Sequence, residues 1–485
     1  MNKEKKDVLS GVFWKFLERI FAQLVTTAVA IILARLLSPS EYGTISLVTV
    51  FITIANVFVT SGFGEALIQK KDADNNDFST VLYFSIFFSV IIYCILFLLA
   101  IPISMFYDMP ILIPVIRILS LSIPIMGINS VQQAYVARNM IFKKFFNATL
   151  AGTMISGVIG IFMAYRGFGV WSLVTQMLTN QIINTIILQF SINWKPILFF
   201  SFKRLKVLFN FGWKLLIQSL ILNLYSNLRN LIIGKVYTAS DLAYYTRGNQ
   251  FPNLISTNID TAINSALFPA MAKVQNSNER VKIMARRTIQ ISSYILNPAL
   301  IGFIAVAEPF ISILLTDTWL PAVIYLRICC VILLFRAPQT AILQAIKAIG
   351  RSDVILKVDI PIRVFALIVL IVSVRFGVVF FAASEILTTV FGTILYIMMG
   401  QRLINYSIKE VCLDFMVNTF VALIMGIFIY CLGEFLNINK YSIFLVQVIC
   451  GIVIYFFVSM ITKNESFCYL KDMIIDIIKK RKKGC

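Results

Sequence analysis

Apolar runs of roughly twenty residues recur along the whole chain, the length an α-helix needs to cross a bilayer core of about 30 Å. Fourteen such runs are read between polar breaks, the first over residues 11–36 and the last over 441–461. Spanning β-barrels use segments of about 10 residues that alternate polar with apolar. These runs do neither. Hydrophobic residues make up 59% of the 485, above the roughly 45–50% of a soluble globular domain. The expected fold is an all-α polytopic membrane protein of about fourteen transmembrane helices.

A formal charge of +20 invites a nucleic-acid reading, so the location of the Lys and Arg residues decides its meaning. With the N-terminus placed in the cytosol, basic residues fall in alternate loops. Lys70 and Lys71, Arg138 with Lys143 and Lys144, Lys203 with Arg204 and Lys206, Arg280 to Arg287, and Lys347 with Arg351 all lie inside. Only Arg35, Arg166, Lys235, Arg375 and Lys440 lie at outside ends. That is the positive-inside asymmetry, and a single miscounted span would destroy it. The charge is thus read as topology, with both termini cytosolic, membrane lipids as neighbours and no nucleic-acid partner. Trp14, Trp171, Trp194, Trp213 and Trp319 fall near span ends, where amphipathic rings favour the headgroup level. The stretch holding Lys15, Glu18 and Arg19 shows no small-residue cleavage pattern and is read as a first span, not a removed signal.

Several chemistries are excluded at this stage. The chain has no histidine, which removes histidine triads, histidine-ligated metals and histidine proton relays. Its eight cysteines form no CxxC pair and are read as free thiols, with no metal site or disulfide framework. Outside loops are too short for a catalytic domain, and no Gly-rich phosphate loop precedes a Lys-Ser/Thr pair. An enzyme such as a membrane glycosyltransferase or polymerase is disfavoured, and no cofactor is expected.

Comparing the chain with itself at an offset near 200 residues shows a weak, ordered match. Trp14-Lys15 corresponds to Trp213-Lys214, Ser40-Glu41 to Ser240-Asp241, Ala66-Leu67 to Ala266-Leu267, and Gln133-Ala134 to Gln344-Ala345. Six spans separate the copies, so both enter the membrane with the same orientation, a parallel repeat. The expected organisation is an N-lobe over 1–200, a C-lobe over 201–408, two further helices over 409–464, and a basic amphipathic tail over 465–485. Two parallel six-helix lobes around a cavity are an arrangement that alternating access uses.

An ionisable group at mid-bilayer costs roughly 2.5–3.5 kcal/mol on insertion scales and asks for a partner, water or a snorkelling route. Lys15, Glu18 and Arg19 share one helix face, and with Lys214 they suggest a cationic entrance for an anionic headgroup. Arg229, Arg327 and Arg363 are further cationic candidates, and Arg117, Arg336, Asp359 and Glu385 also lie inside spans. Asp359 and Arg363, four apart, are placed to satisfy one another. Arg327 and Arg336 fall on opposite sides of a continuous helix, so they share a cavity only if that helix breaks. Glu65 and Asp260, in the second span of each lobe, are the candidates for coupling to H+ or Na+. Cations outnumber carboxylates among these groups, which favours an anionic substrate over a cationic drug.

The text also resembles the Wzx-like polysaccharide flippases of the multidrug/oligosaccharidyl-lipid/polysaccharide exporter superfamily. The residues carrying the likeness are Ala34-Arg35-Leu36-Leu37-Ser38-Pro39-Ser40-Glu41-Tyr42-Gly43, Gly62-Phe63-Gly64-Glu65-Ala66-Leu67-Ile68-Gln69 and Gly169-Val170-Trp171-Ser172-Leu173. The segment Asp241 to Gly248 and the Gly350-Arg351-Ser352 loop add to it. The resemblance implies flipping of undecaprenyl-pyrophosphate-linked oligosaccharide across a bacterial cytoplasmic membrane by ion-coupled alternating access. It also implies working beside a polysaccharide polymerase and export machinery. A multidrug or metabolite antiporter of the same fold is the alternative.

Overall fold

The computed structural model describes residues 21–436, 439–469 and 471–472, and among these there is helix and no strand. Lys15, Glu18 and Arg19, together with residues 470 and 473–485 of the basic tail, lie outside the described residues. The helices are α1 (Phe21–Leu36), α2 (Pro39–Thr60), α3 (Phe63–Gln69), α4 (Asn75–Tyr107), α5 (Leu112–Leu119), α6 (Ser122–Arg138), α7 (Phe142–Tyr165), α8 (Val170–Ser191) and α9 (Phe202–Val236). They continue with α10 (Ala239–Lys273), α11 (Asn278–Ala305), α12 (Ala307–Leu314), α13 (Ala322–Leu334), α14 (Arg336–Ala348), α15 (Ser352–Ser373), α16 (Val378–Ile404), α17 (Ile408–Phe435) and α18 (Lys440–Ile461).

Thirteen of the fourteen expected spans coincide with one helix or with a helix broken once, and the described part of the first, Phe21–Leu36, is helical. Nine stretches are long and apolar enough to cross a bilayer among the described residues, counting α2 with α3, α5 with α6 and α13 with α14 as single spans. A tenth is α9, which bends by 51° between Asn210 and Gly212. Helices α8, α10 and α15 fall short for a physical reason: each carries polar side chains. Asn180, Gln181 and Asn184 lie on α8, Asn249 to Asp260 on α10, and Asp359 with Arg363 on α15. Such residues are tolerated in a span where they meet protein rather than lipid.

The chain divides into two compact units, one ending at Ala243 and the other starting at Tyr244. This division concerns which segments touch, whereas the repeat concerns which segments correspond. By packing, α9 belongs with the first unit and α17 and α18 with the second. In the first unit, Phe63, Leu67, Phe78, Val81, Trp194 and Leu208 form a buried apolar cluster tying α3, α4 and α9 together. In the second, Val281, Ile289, Ile342, Val358, Tyr396 and Tyr406 do the same for α11, α14, α15 and α16. Between α7 and α8 the backbones approach closely: a Cβ on Gly160 would sit 2.7 Å from Cβ of Gln176. Small residues permit such contact where lipid supplies no hydrophobic drive.

Segments about two hundred residues apart, which the self-comparison pairs, share internal details. Ser38 opens α2 with a capping box, its hydroxyl and N–H both donating to the Glu41 carboxylate at 2.9 and 2.7 Å. Two hundred residues on, Thr238 opens α10 in the same way against Asp241, at 2.7 and 3.1 Å. On α5, Arg117 donates from Nε to the Phe97 carbonyl of α4 at 3.4 Å. On α13, Arg327 donates from Nε to the Ile304 carbonyl of α11, also at 3.4 Å. Alanine at Glu41 or Asp241 is expected to cost about 1 kcal/mol each, the usual worth of such a cap. Equal losses in detergent unfolding midpoints would confirm that the two turns do the same work.

Candidate functional site

Helix α10 places Asn249, Asn253, Ser256 and Asp260 at helical spacing, so they form one polar stripe along a span. Asp260 is buried, 8% exposed. Its carboxylate accepts from Arg336 Nε at 2.7 Å and from the Ser256 hydroxyl at 3.2 Å. Arg336 reaches it because α13 stops at Leu334 and α14 restarts at Arg336, so the guanidinium projects from a helix break. Asn253 donates to Sγ of Cys329 at 3.5 Å. Cys329 in turn lies within electrostatic reach of Glu385 on α16 as well as of Arg336. The second unit therefore holds a carboxylate, a guanidinium, a thiol and a second carboxylate inside its spans. A compensated pair of this kind escapes most of the cost of an isolated intramembrane charge, and such groups mark substrate and ion pathways.

The break at Phe335 separates Arg327 from Arg336. Arg336 is paired with Asp260, while Arg327 lines a cavity of about 780 Å³ with Glu308, Tyr430, Glu434 and Gln447 at the far end of the unit. Arg363 on α15 is half-buried, and the neighbouring Asp359 accepts from the Tyr396 hydroxyl at 2.7 Å. In the first unit, Lys214 is exposed on α9, Arg229 is half-buried on the same helix, and Glu65 is exposed on α3. Of the residues singled out from sequence, Asp260 is thus drawn into a charged cluster, Arg327 into a separate cavity, and Lys214, Arg229 and Glu65 lie in the other unit. Lys15 and Arg19 fall outside the described residues. Among the described residues no group of three His, Cys, Asp or Glu is placed to hold a metal ion.

Two polar networks were not anticipated from the sequence. In the first unit, Asn129 donates to Asn184 at 3.2 Å, Gln132 to Gln189 at 2.7 Å, Asn184 to Thr149 at 3.3 Å and Asn180 to Thr153 at 3.3 Å. This seam runs through α6, α7 and α8. In the second unit, Asp414 accepts from Arg286, Gln290 and the Tyr406 hydroxyl, and Asn418 binds Ser293 and Asn464. Polar residues repeating at helical spacing within apolar runs were the available signal for both. Outside the spans, Asp74 and Asp77 grip Arg204 at 2.6 and 3.1 Å. Burial pushes the Asp74 carboxyl up, but the Asp77 N–H and the Arg204 guanidinium outweigh it and hold it below the usual range.

Comparison with known proteins follows from this architecture. The family described as polysaccharide biosynthesis protein matches residues 32–324. The succinoglycan biosynthesis transport protein ExoT of Rhizobium meliloti (strain 1021) is 22% identical over 72% of this chain and 71% of its own. The lipopolysaccharide biosynthesis protein WzxC of Escherichia coli (strain K12) is 21% identical over 88% of each chain. Among solved structures, lipid II flippase MurJ in an inward closed conformation superposes with a TM-score of 0.74 at 16% identity, covering 96% of this chain and 100% of that one. That likeness establishes the fold, a helical membrane transporter fold. With a family model spanning more than half of its length, the chain belongs to the polysaccharide biosynthesis protein family, the Wzx-like group its motifs resemble.

Proposed function

We propose that this protein is a flippase. It carries undecaprenyl-pyrophosphate-linked oligosaccharide from the cytoplasmic to the outer leaflet of a bacterial cytoplasmic membrane, by ion-coupled alternating access, for cell-surface polysaccharide synthesis. The observation that carries the reading is family membership, joined to a charged cluster within the spans of the second unit. Relatives named for polysaccharide transport and a fold shared with a lipid II flippase support it. The protein does not act as an enzyme in this reading, and both termini are cytosolic.

Lys15, Arg19 and Lys214 take the role of the headgroup entrance, with Arg229 and Arg363 as further cations on the route. A diphosphate carries charge that guanidinium and ammonium groups bind through charge-assisted hydrogen bonds. Asp260 is the coupling residue, because a carboxylate held by Arg336 can exchange that cation for H+ or Na+. Glu65 is its counterpart in the first unit. A polymerase receives the product on the outer side.

Deletion of the gene is expected to leave the lipid-linked repeat unit on the cytoplasmic leaflet. A normal leaflet distribution in the deletion strain rejects the proposal. Neutralising Lys15, Arg19 and Lys214 together should cut flipping in reconstituted vesicles by at least about tenfold, through loss of charge-assisted contacts. Drug antiport would be indifferent to that change.

A further inference from the structure

The cavity that holds Arg327 has a chemistry the flipping cycle does not use. It lies within the second unit, enclosed by α12, α13, α17 and α18, at the end remote from the basic start of α11. Its volume of about 780 Å³ is within the roughly 300–1,000 Å³ of small-molecule sites. Arg327 spends Nε on the Ile304 carbonyl, and its two terminal nitrogens have no ion pair or hydrogen bond among the described residues. Glu308 and Glu434 line the same space, and neither makes an ion pair or hydrogen bond among the described residues. At the rim, Lys440 is already held by Asp317 at 3.6 Å and the Ser312 hydroxyl at 3.0 Å. Gln447, only 2% exposed, borders the cavity, and its amide N–H donates to the Ile429 carbonyl at 3.0 Å.

The arrangement leaves a free guanidinium and free carboxylates around one cavity without joining them to each other. A purely anionic ligand meets two carboxylates, and a purely cationic one meets Arg327. A ligand with both charges satisfies every group. We infer that this cavity binds a phosphate–ammonium zwitterion, with the phosphate on the Arg327 fork and the ammonium on Glu308 and Glu434. Guanidinium geometry matches phosphate oxygens in pairs. The cavity lies where α17 ends and α18 begins, two helices long and apolar enough to cross a bilayer, so the natural source is a phosphoethanolamine lipid of the leaflet around them. A phosphoethanolamine group free of lipid has the same chemistry.

The purified full chain in nanodiscs of mixed phosphatidylethanolamine and phosphatidylglycerol supplies the test, with retained lipid quantified by native mass spectrometry. The wild type is expected to retain phosphatidylethanolamine over phosphatidylglycerol. Arg327→Gln and the double change Glu308→Gln/Glu434→Gln should each weaken that retention by about tenfold or more, the scale of a charged hydrogen bond. Arg351→Gln, a pair with Asp353 in a loop at the other end, serves as the charge control and should change nothing. Thermal unfolding of each variant separates lost binding from lost fold. Protection of the site by soluble O-phosphoethanolamine would assign it to the free group, and its failure to compete would assign it to the lipid. Equal retention of both lipids, or wild-type retention by folded Arg327→Gln, overturns the inference.

Discussion

Replacing Asp260 with asparagine is expected to destabilise the protein by about 2 kcal/mol, because it leaves Arg336 unpaired at a helix break inside a span. Arg336→Gln should cost a similar amount by stranding the buried carboxylate. Full burial would raise the figure to about 3–5 kcal/mol, but the Arg336 side chain is 40% exposed, and that exposure screens part of the charge. The double variant Asp260→Asn/Arg336→Gln removes both charges together, and its loss should be smaller than the sum of the two single losses. A double-mutant cycle from unfolding midpoints in nanodiscs gives the coupling directly. Additive losses would show that the 2.7 Å contact does no work. Transport separates the structural role from the proposed one. If Asp260 trades Arg336 for a coupling ion, the refolded double variant still fails to respond to an imposed ion gradient. Restoration of gradient-driven flipping in that variant would confine the pair to holding α10 against α14.

The architecture was legible in the sequence because lipid imposes a coarse rule, about twenty apolar residues per crossing, and loop charges report its parity. Thus α4 and α18 stand where their hydropathy put them. Ser40-Glu41 and Ser240-Asp241, paired when the chain is compared with itself, both sit in the capping boxes that start α2 and α10. The breaks were harder to see. No proline or glycine stands at Phe335, and Pro338 lies just beyond it within α14. Where α13 ends depends on how neighbouring helices accept Arg336, a tertiary fact.

The candidate site was legible in its members and not in its pairings. Asp260, Arg327 and Arg336 stood out as charges in apolar runs, but spacing along one helix says nothing of partners on another. Asp359 is the instructive case. Its i+4 neighbour Arg363 is the partner that local spacing suggests, yet the hydroxyl of Tyr396, on α16, donates to it at 2.7 Å. Neutral seams were quieter still. Asn129, Gln132 and Asn184 carry no charge to announce them, and their function as links among α6, α7 and α8 depends on the facing helix.

A second large effect is expected at Gly62, where the span made by α2 and α3 turns. Its φ is +93°, a region that costs a residue with a side chain about 1–3 kcal/mol. A Cβ there would also lie 2.3 Å from the carbonyl oxygen of Gly212 and 2.7 Å from its carbon. Gly212 sits at the bend of α9, so the obstruction is backbone and no rotamer change relieves it. Overpacking of this kind adds about 1–3 kcal/mol, and Gly62→Ala should therefore lose about 3 kcal/mol. Two further variants divide the effect into its causes. At Gly167, φ is +76° but nothing lies within 4 Å, so Gly167→Ala should cost only the strain of its backbone, about 1–2 kcal/mol. At Gly212 φ is not positive, and a Cβ would sit 2.9 Å from the carbon of Gly62, so Gly212→Ala reports the close approach without the unusual φ. Unfolding midpoints that rank Gly62→Ala as the most damaging of the three establish the crossing of these two backbones as a fixed point of the first unit. Equal losses at Gly62 and Gly167 would mean that α9 moves aside, and that the turn at Gly62 is set by its own dihedral alone.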